Sequence, residues 1–191
     1  MLWCQGNLDL LEKPCIAIIG SRQVTDRALE KAYELGYELG KMGYSVVSGL
    51  ARGVDTEAHK GSLETGTVAV VASGFDYTYP KENTELFESI IQKGLAISEQ
   101  PIDTQPQARH FPQRNRIVAG ISIATVCVEA GNRSGSGITL TCARDIGRKT
   151  MAITPLEDLP STAGYKFFLE KGATPVVSAQ DIHNALQEDA K

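Results

Sequence analysis

The chain has 191 residues, a formal net charge of −4 and 42% hydrophobic residues. This length and composition fit one globular domain with a single large core. The acidic balance excludes a protein that coats nucleic acid over its whole surface. A local basic site remains compatible with it, because a charge acts over about one Debye length, ~8 Å at physiological salt.

No segment carries a basic stretch followed by a long apolar run, and none approaches the ~20 apolar residues of a membrane span. We therefore expect a soluble, cytoplasmic protein that makes no contact with a membrane. Cys4, Cys15, Cys127 and Cys142 show no C-x-x-C spacing. This favours buried thiols over disulfides or zinc ligands, and we expect neither a metal nor a cofactor.

Short apolar runs alternate with helical patterns along most of the chain. This order predicts an α/β fold, a doubly wound, mostly parallel sheet with helices on both faces. The seven predicted strands cover residues 15–20, 44–49, 67–74, 95–98, 123–131, 150–154 and 174–178.

The first helix is predicted from Leu29, Ala32, Leu35 and Leu39, which recur at helical spacing before Gly43. Further helices are predicted over residues 55–64, 82–93, 114–120, 138–147, 162–171 and 179–188. The one long irregular stretch covers residues 99–113. A long loop inside a compact domain is often functional.

Three turns rich in Gly and Ser, each with an arginine, follow predicted strands. Small residues and hydroxyls let a backbone approach a phosphate, and an arginine fork matches phosphate oxygens. One such turn alone is explained by tight turning, but three at one sheet edge favour phosphate binding. We expect an anion at the helix that follows the first of these turns. The turns are Gly20-Ser21-Arg22, residues 48–53, and residues 131–137 with Arg133.

The stretch RHFPQRNR, residues 109–116, groups three arginines around Phe111 without an acidic residue. Arg109, Arg114 and Arg116 could neutralise phosphates while Phe111 stacks on a base, the combination found in sequence-tolerant single-strand binders. The alternative is a solvated basic loop with Phe111 in the core.

Catalytic groups are few, and the stretch Gly135 to Leu140 does not fit a dinucleotide fingerprint. Asp55 and His59, four residues apart, are explained as well by a helical side-chain pair. Glu99 and Glu129 end strands, where a carboxylate that orients an arginine is the simpler interpretation. His183 is expected to be exposed. The sequence therefore predicts a protein that is not an enzyme.

The motifs "IAIIGSR", "SGLARGVDTEAHKGSL", "VVASGFDYTYPKEN", "HFPQRNRIVAGIS", "VEAGNRSGSGIT" and "GATPVVSAQDI" resemble, in order, those of the DNA-processing protein A (DprA, also called Smf) family. The resemblance spans almost the whole chain. It implies an extended Rossmann-like domain that binds single-stranded DNA, forms a homodimer and helps to load a RecA-type recombinase in DNA uptake, natural transformation and recombination.

The resemblance also implies roles for particular residues. It implies a core domain over residues 1–191 with a leader at 1–14, without a helical N-terminal module or a C-terminal winged helix. The family's S-G-S-L-I-T reads S-G-S-G-I-T from Ser134 onward, which puts the start of that helix in doubt. The implied phosphate pocket comprises Gly20, Ser21, Arg22, Ser48, Gly49 and Arg52, the DNA-facing segment His110, Phe111, Arg114, Asn115 and Arg116, and the later turn Ser134, Gly135 and Ser136.

Two alternatives remain open at this point. The first is a nucleotide hydrolase similar to the LOG phosphoribohydrolases, although residues 129–139 lack the glutamate of their P-G-G-x-G-T-x-x-E pattern. The second is a sensor that binds a small nucleotide in the same pocket. For assembly we expect a homodimer through residues 174–178 together with Tyr165, Phe167 and Phe168, because an exposed sheet edge must be covered or paired.

Overall fold

A computed structural model describes residues 1–131 and 134–188. Its strands form one sheet in the order β1-β5-β4-β3-β2-β6-β7-β8. β1 pairs with β5 in antiparallel fashion, and every other neighbouring pair is parallel. The predicted fold is thereby confirmed. The strands are β1 Trp3–Gly6, β2 Cys15–Ile19, β3 Ser45–Ser48, β4 Thr67–Val71, β5 Leu95–Ser98, β6 Ala124–Cys127, β7 Lys149–Ile153 and β8 Thr174–Val176.

Strand β1 was not among the predicted strands. All four of its residues are exposed, so the segment shows neither a buried run nor an alternation of apolar and polar residues. It is held by backbone pairing, with Trp3 opposite Ser98 and Gly6 opposite Leu95. A strand defined by its partner rather than by burial leaves little signal in its own sequence.

Helices cover both faces of the sheet, so the central strands are buried on both sides. α1, α2, α3 and α7 pack on one face, and α4, α5 and α6 pack on the other. No helix in the described residues is long and apolar enough to cross a membrane. The helices are α1 Asp26–Lys41, α2 Val54–Ser62, α3 Thr84–Lys93, α4 His110–Ile121, α5 Gly135–Asp145, α6 Gly164–Glu170 and α7 Ala179–Glu188.

Helix α4 begins four residues earlier than the sequence predicted, at His110 instead of Arg114. Pro112 lies in its first turn, where a missing backbone N–H removes no helical hydrogen bond. The irregular stretch is therefore shorter than expected, and the whole HFPQRNR segment is helical. Because α4 starts at His110, the helical geometry sets the direction of each arginine side chain in the segment.

Strand β2 is central, with β3 on one side and β6 on the other. The chain runs outward through β3, β4 and β5, then returns to the middle and continues through β6, β7 and β8. In open α/β sheets, ligands bind beyond the carboxyl ends of the strands where the direction of winding changes. The fold thus places the turns after β2, β3 and β6 together.

Candidate phosphate and nucleic-acid site

A cleft of about 570 Å³ lies at this edge of the sheet. It is bounded by the turns after β2 and β3, by α4 and by the start of α5. Most of the predicted site residues line it, so residues far apart in sequence are brought together as expected. They are Gly20, Ser21, Arg22, Gly49, Arg52, Phe111, Arg114, Asn115, Ser134, Gly135 and Ser136.

The turn after β2 is held by hydrogen bonds to the end of β6. The Ser21 amide donates to the carbonyl of Glu129 at 2.9 Å. The Glu129 carboxylate accepts the Thr25 amide at 3.1 Å and the Thr25 hydroxyl at 2.8 Å, at the N-terminus of α1. The Glu129 carboxylate therefore competes with the anion predicted at this helix for the two Thr25 donors.

The turn after β3 directs its amides into the protein. The amides of Gly49 and Ala51 donate to Oδ2 of Asp55 at 3.1 and 3.3 Å. The amide of Leu50 donates to Nε2 of His59 at 3.3 Å, and Leu50 has a left-handed φ of 59°. Such backbone is uncommon for a bulky residue. These three amides are already hydrogen-bonded within the protein, so they are not the donors of the predicted phosphate cradle.

Asp55 and His59 both lie in the interior, where they hold this turn in place. Because Nε2 of His59 accepts the Leu50 amide, Nδ1 carries the proton and donates to Oγ1 of Thr67 at 2.7 Å. Burial, assisted by the charge of Arg114, lowers the pKa of His59 to about 3. A neutral imidazole bonded on both sides is structural, which supports the non-catalytic interpretation of this pair.

Arg114 forms the floor of the cleft and is only 7% exposed. Its Nη1 donates to the carbonyls of Gly49 and Val70, and its guanidinium fills space that a side chain at Gly49 would occupy. Burial lowers the pKa of Arg114, while the charge of Asp55 raises it. The expected exposed cluster of three arginines is thus not observed, because α4 turns Arg114 toward the sheet.

Three further predicted residues lie outside the cleft lining. Ser48 is fully buried, and its hydroxyl donates to the carbonyl of Ile18 at 2.6 Å. His110 is 4% exposed, so neither side chain faces solvent as a DNA-facing residue would. Arg116 is exposed and forms an ion pair with Glu99, which agrees with the simpler interpretation of that carboxylate.

The cleft rim combines cations with aromatic rings. The Arg22 guanidinium lies over the Phe111 ring, 5.5 Å from its centroid. Phe111 is only partly buried, so the alternative with this ring in the core does not hold. Arg52 reaches the same rim and pairs with Glu82. Tyr79 packs edge-on against Phe111, and it was not among the residues predicted from the sequence.

The start of α5 lies at the cleft and carries a polar group that has no partner in the described part of the chain. Ser134 precedes the helix but makes no capping bond, and its hydroxyl has no partner within residues 1–131 and 134–188. Gly135 and Ser136 follow in a first turn that contains no acidic residue. Asn115 ties this turn to α4 by donating to the carbonyl of Gly135 at 3.3 Å. The predicted arginine of this turn, Arg133, lies outside the described residues.

Other titratable groups supply no catalytic arrangement in the described part of the chain, where no cluster of His, Cys, Asp and Glu could hold a metal. His183 was expected to be exposed but is half-buried, with Nδ1 hydrogen-bonded to the Tyr44 hydroxyl at 2.8 Å. Cys15 and Cys127 are buried thiols as expected, whereas Cys4 is exposed. The cleft is equipped to bind anions and planar rings.

Comparison with known proteins shows the same fold and sequence pattern. DNA processing protein DprA from Streptococcus pneumoniae is 40% identical over 190 residues, covering 95% of this chain and 65% of the relative. Its X-ray structure matches with a TM-score of 0.91 at 37% identity, covering 96% of this chain and 65% of that one. Protein Smf from Synechocystis is 35% identical over 188 residues, covering 95% of this chain and 47% of the relative.

A DprA structure from Helicobacter pylori, described for its single-stranded DNA binding mode, matches with a TM-score of 0.90 at 32% identity. The match covers 98% of this chain and 87% of that one. The chain spans about half to two-thirds of the length of the two curated relatives. A family model described as DNA recombination-mediator protein A matches residues 1–187. The chain therefore belongs to the DNA recombination-mediator protein A family, to which its DprA and Smf relatives point as well.

Proposed function

We propose that the protein binds single-stranded DNA in the cleft and acts by binding rather than by catalysis. The observation that carries this proposal is the joining of three features in one cleft. These are the cations Arg22 and Arg52, the ring of Phe111, and the open start of α5. Single-strand binders combine cationic contacts to the backbone with aromatic platforms for the bases.

The phosphate position that we propose is the N-terminus of α5. Backbone N–H groups and the helix dipole favour an anion there. The hydroxyl of Ser134, which has no partner among the described residues, adds a donor. The buried charge of Arg114 lies in the floor of the same cleft. At α1, by contrast, Glu129 repels an anion.

Single strands should bind better than duplexes. Phe111 lies at the rim of a concave cleft, and it can reach only a base whose face is free. A base inside a duplex is stacked on both faces. It could stack on Phe111 only after it is unstacked from its neighbours, which costs a few kcal/mol. A flexible single strand presents its bases without that cost.

A titration with fluorescent oligonucleotides of increasing length tests the proposal. We expect affinity to rise with length for single strands, and a duplex of equal length to bind more weakly. Affinity that is independent of length, with saturation by a mononucleotide, would instead indicate a small-nucleotide sensor. Release of a free base from a nucleoside monophosphate would indicate a hydrolase.

Two substitutions separate the roles of charge and ring. Arg22→Ala should weaken binding and flatten the log–log salt slope by roughly 0.7, the single-strand value for one phosphate contact. Phe111→Ala should lose ~1–3 kcal/mol of stacking with little change in the slope. Arg148→Ala is the matched control, because this exposed arginine lies at the amino end of β7, at the opposite edge of the sheet.

The proposed role includes the loading of a RecA-type recombinase onto single-stranded DNA, as the family resemblance implies. Its test is whether the protein accelerates recombinase filament formation on a covered single strand. We also propose a homodimer through the C-terminal region, supported by the exposed side chains of Phe167 and Val177. Phe168 was expected at this interface but is buried in the core, so it is not available to a partner. Light scattering at high micromolar concentration should report a dimer, and Val177→Lys should yield a monomer.

A further inference from the structure

Tyr79 lies beside the cleft, on the segment between β4 and α3. The residue is 43% exposed, and its ring centroid lies 5.3 Å from that of Phe111 with an angle of 66° between the ring planes. In the described residues its hydroxyl has no hydrogen-bond partner. A phenol that is neither buried nor hydrogen-bonded contributes little to the stability of the core.

Tyr79 also faces a shallow recess that continues the cleft. Arg22, Arg52, Gly49 and Phe111 line both the recess and the main cleft, whereas Tyr79 and the adjacent proline line the recess alone. A strand that leaves the start of α5 and passes Phe111 therefore meets Tyr79 next, with Arg22 and Arg52 close to its phosphates.

We propose that Tyr79 is a second base-stacking residue, so that the Phe111–Tyr79 pair receives two successive bases of a single strand. The inference rests on the proposed function and extends it by one nucleotide subsite. Aromatic rings stack on bases of any sequence, since each base offers a π face. The Tyr79 hydroxyl lies at the wet end of the ring, where it needs no protein partner.

The angle between the two rings has a consequence for the ligand. Rings inclined at 66° cannot both lie parallel to the bases of one continuous stack. Two bases that follow these rings must be unstacked from each other. The free energy of unstacking is smaller for oligo(dT), whose bases stack weakly, than for oligo(dA). The subsite therefore favours flexible pyrimidine strands.

Fluorescence anisotropy with oligo(dT) and oligo(dA) of equal length tests the subsite. Tyr79→Ala should weaken oligo(dT) binding about tenfold (about 1.4 kcal/mol), narrow the preference for dT over dA, and leave the salt slope unchanged. Tyr79→Phe should bind like the wild type, because stacking needs the ring and not the hydroxyl. Tyr77→Ala is the matched control, since this tyrosine is 39% exposed on the same segment but lines neither cavity.

A second measurement does not depend on how well the variants fold. Wild-type protein is irradiated with an oligonucleotide that carries 5-iodouracil, and the cross-linked peptides are identified by mass spectrometry. Adducts at both Tyr79 and Phe111 support the subsite. Adducts at Phe111 without any at Tyr79, or equal affinities of Tyr79→Ala and Tyr77→Ala, overturn this inference while the proposed function stands. A wild-type protein that binds no single strand overturns both.

Discussion

The Arg114 guanidinium occupies the space left by the missing side chain of Gly49 and donates to the Gly49 carbonyl. A Cβ at position 49 would collide with the guanidinium, so Gly49→Ala should destabilise the protein by ~1–3 kcal/mol, the usual cost of overpacking. Gly120→Ala is the control on the same helix as Arg114. It meets no atom within 4 Å and should stabilise the protein by ~1 kcal/mol, the difference in helix propensity. Urea unfolding measures both.

Removal of Arg114 should cost more. Arg114→Ala leaves the buried Asp55 carboxylate without its counter-charge, a change that typically costs ~3–5 kcal/mol. Combining Arg114→Met with Asp55→Asn should restore part of the loss, with a coupling of about 0.5–3 kcal/mol. Additive losses in urea unfolding would show that the two side chains do not interact. Loss of DNA binding by Arg114→Ala is interpretable only if the variant is folded.

The neutral state of His59 predicts acid sensitivity. Its pKa falls from 6.5 to about 3 in the fold, so the unfolded chain takes up the proton first as the pH drops. The contribution of the neutral His59 imidazole to the free energy of unfolding is complete above pH 6.5. It is lost as the pH falls toward 3, by at most about 1.4 kcal/mol per pH unit. His59→Gln should lack this part of the slope between pH 6.5 and 4. An identical slope in both proteins would contradict the assignment of a buried, neutral imidazole.

The ion pair of Arg52 with Glu82 should compete with nucleic acid. Both side chains are more than half exposed, so the pair contributes little to stability, but it occupies a guanidinium that faces the cleft. Glu82→Gln should raise the affinity for single-stranded DNA about two- to threefold, a change of well under 1 kcal/mol. Glu85→Gln alters the net charge equally without a contact to Arg52. If the two substitutions raised the affinity equally, the cause would be the change in net charge and not the release of Arg52 from Glu82.

The two helix starts at this edge make opposite predictions for anions. Crystals grown in sulfate should show an ion at Ser134, Gly135 and Ser136 and none at Thr25, where Glu129 accepts both polar hydrogens. Ser134→Ala should weaken competition by inorganic phosphate against a bound oligonucleotide. A sulfate beside Thr25 and none at Ser134 would show that the anion site lies at the N-terminus of α1 and not at that of α5.

The sheet was predictable because its strands are short apolar runs buried on both faces, as Cys15–Ile19 and Thr67–Val71 illustrate. The orientation of the site side chains was harder to predict from the sequence. Arginines usually mark a surface, and only the start of α4 reveals that Arg114 points inward. Glu129 contacts Thr25, which lies 104 residues away in the sequence. Tyr79 contacts Phe111, which lies on a different element. No local sequence pattern reveals either contact.

Strand β1 has a consequence for solubility. Its residues are exposed, whereas all four residues of its partner Leu95–Ser98 are buried. A chain without residues 1–7 would present Leu95–Ser98 as an apolar outer edge with free N–H and C=O groups, which is a template for pairing between molecules. The N-terminal strand is in this sense a cover: it pairs with the backbone of Leu95–Ser98 and takes the outer position of the sheet with four exposed residues in place of four buried ones.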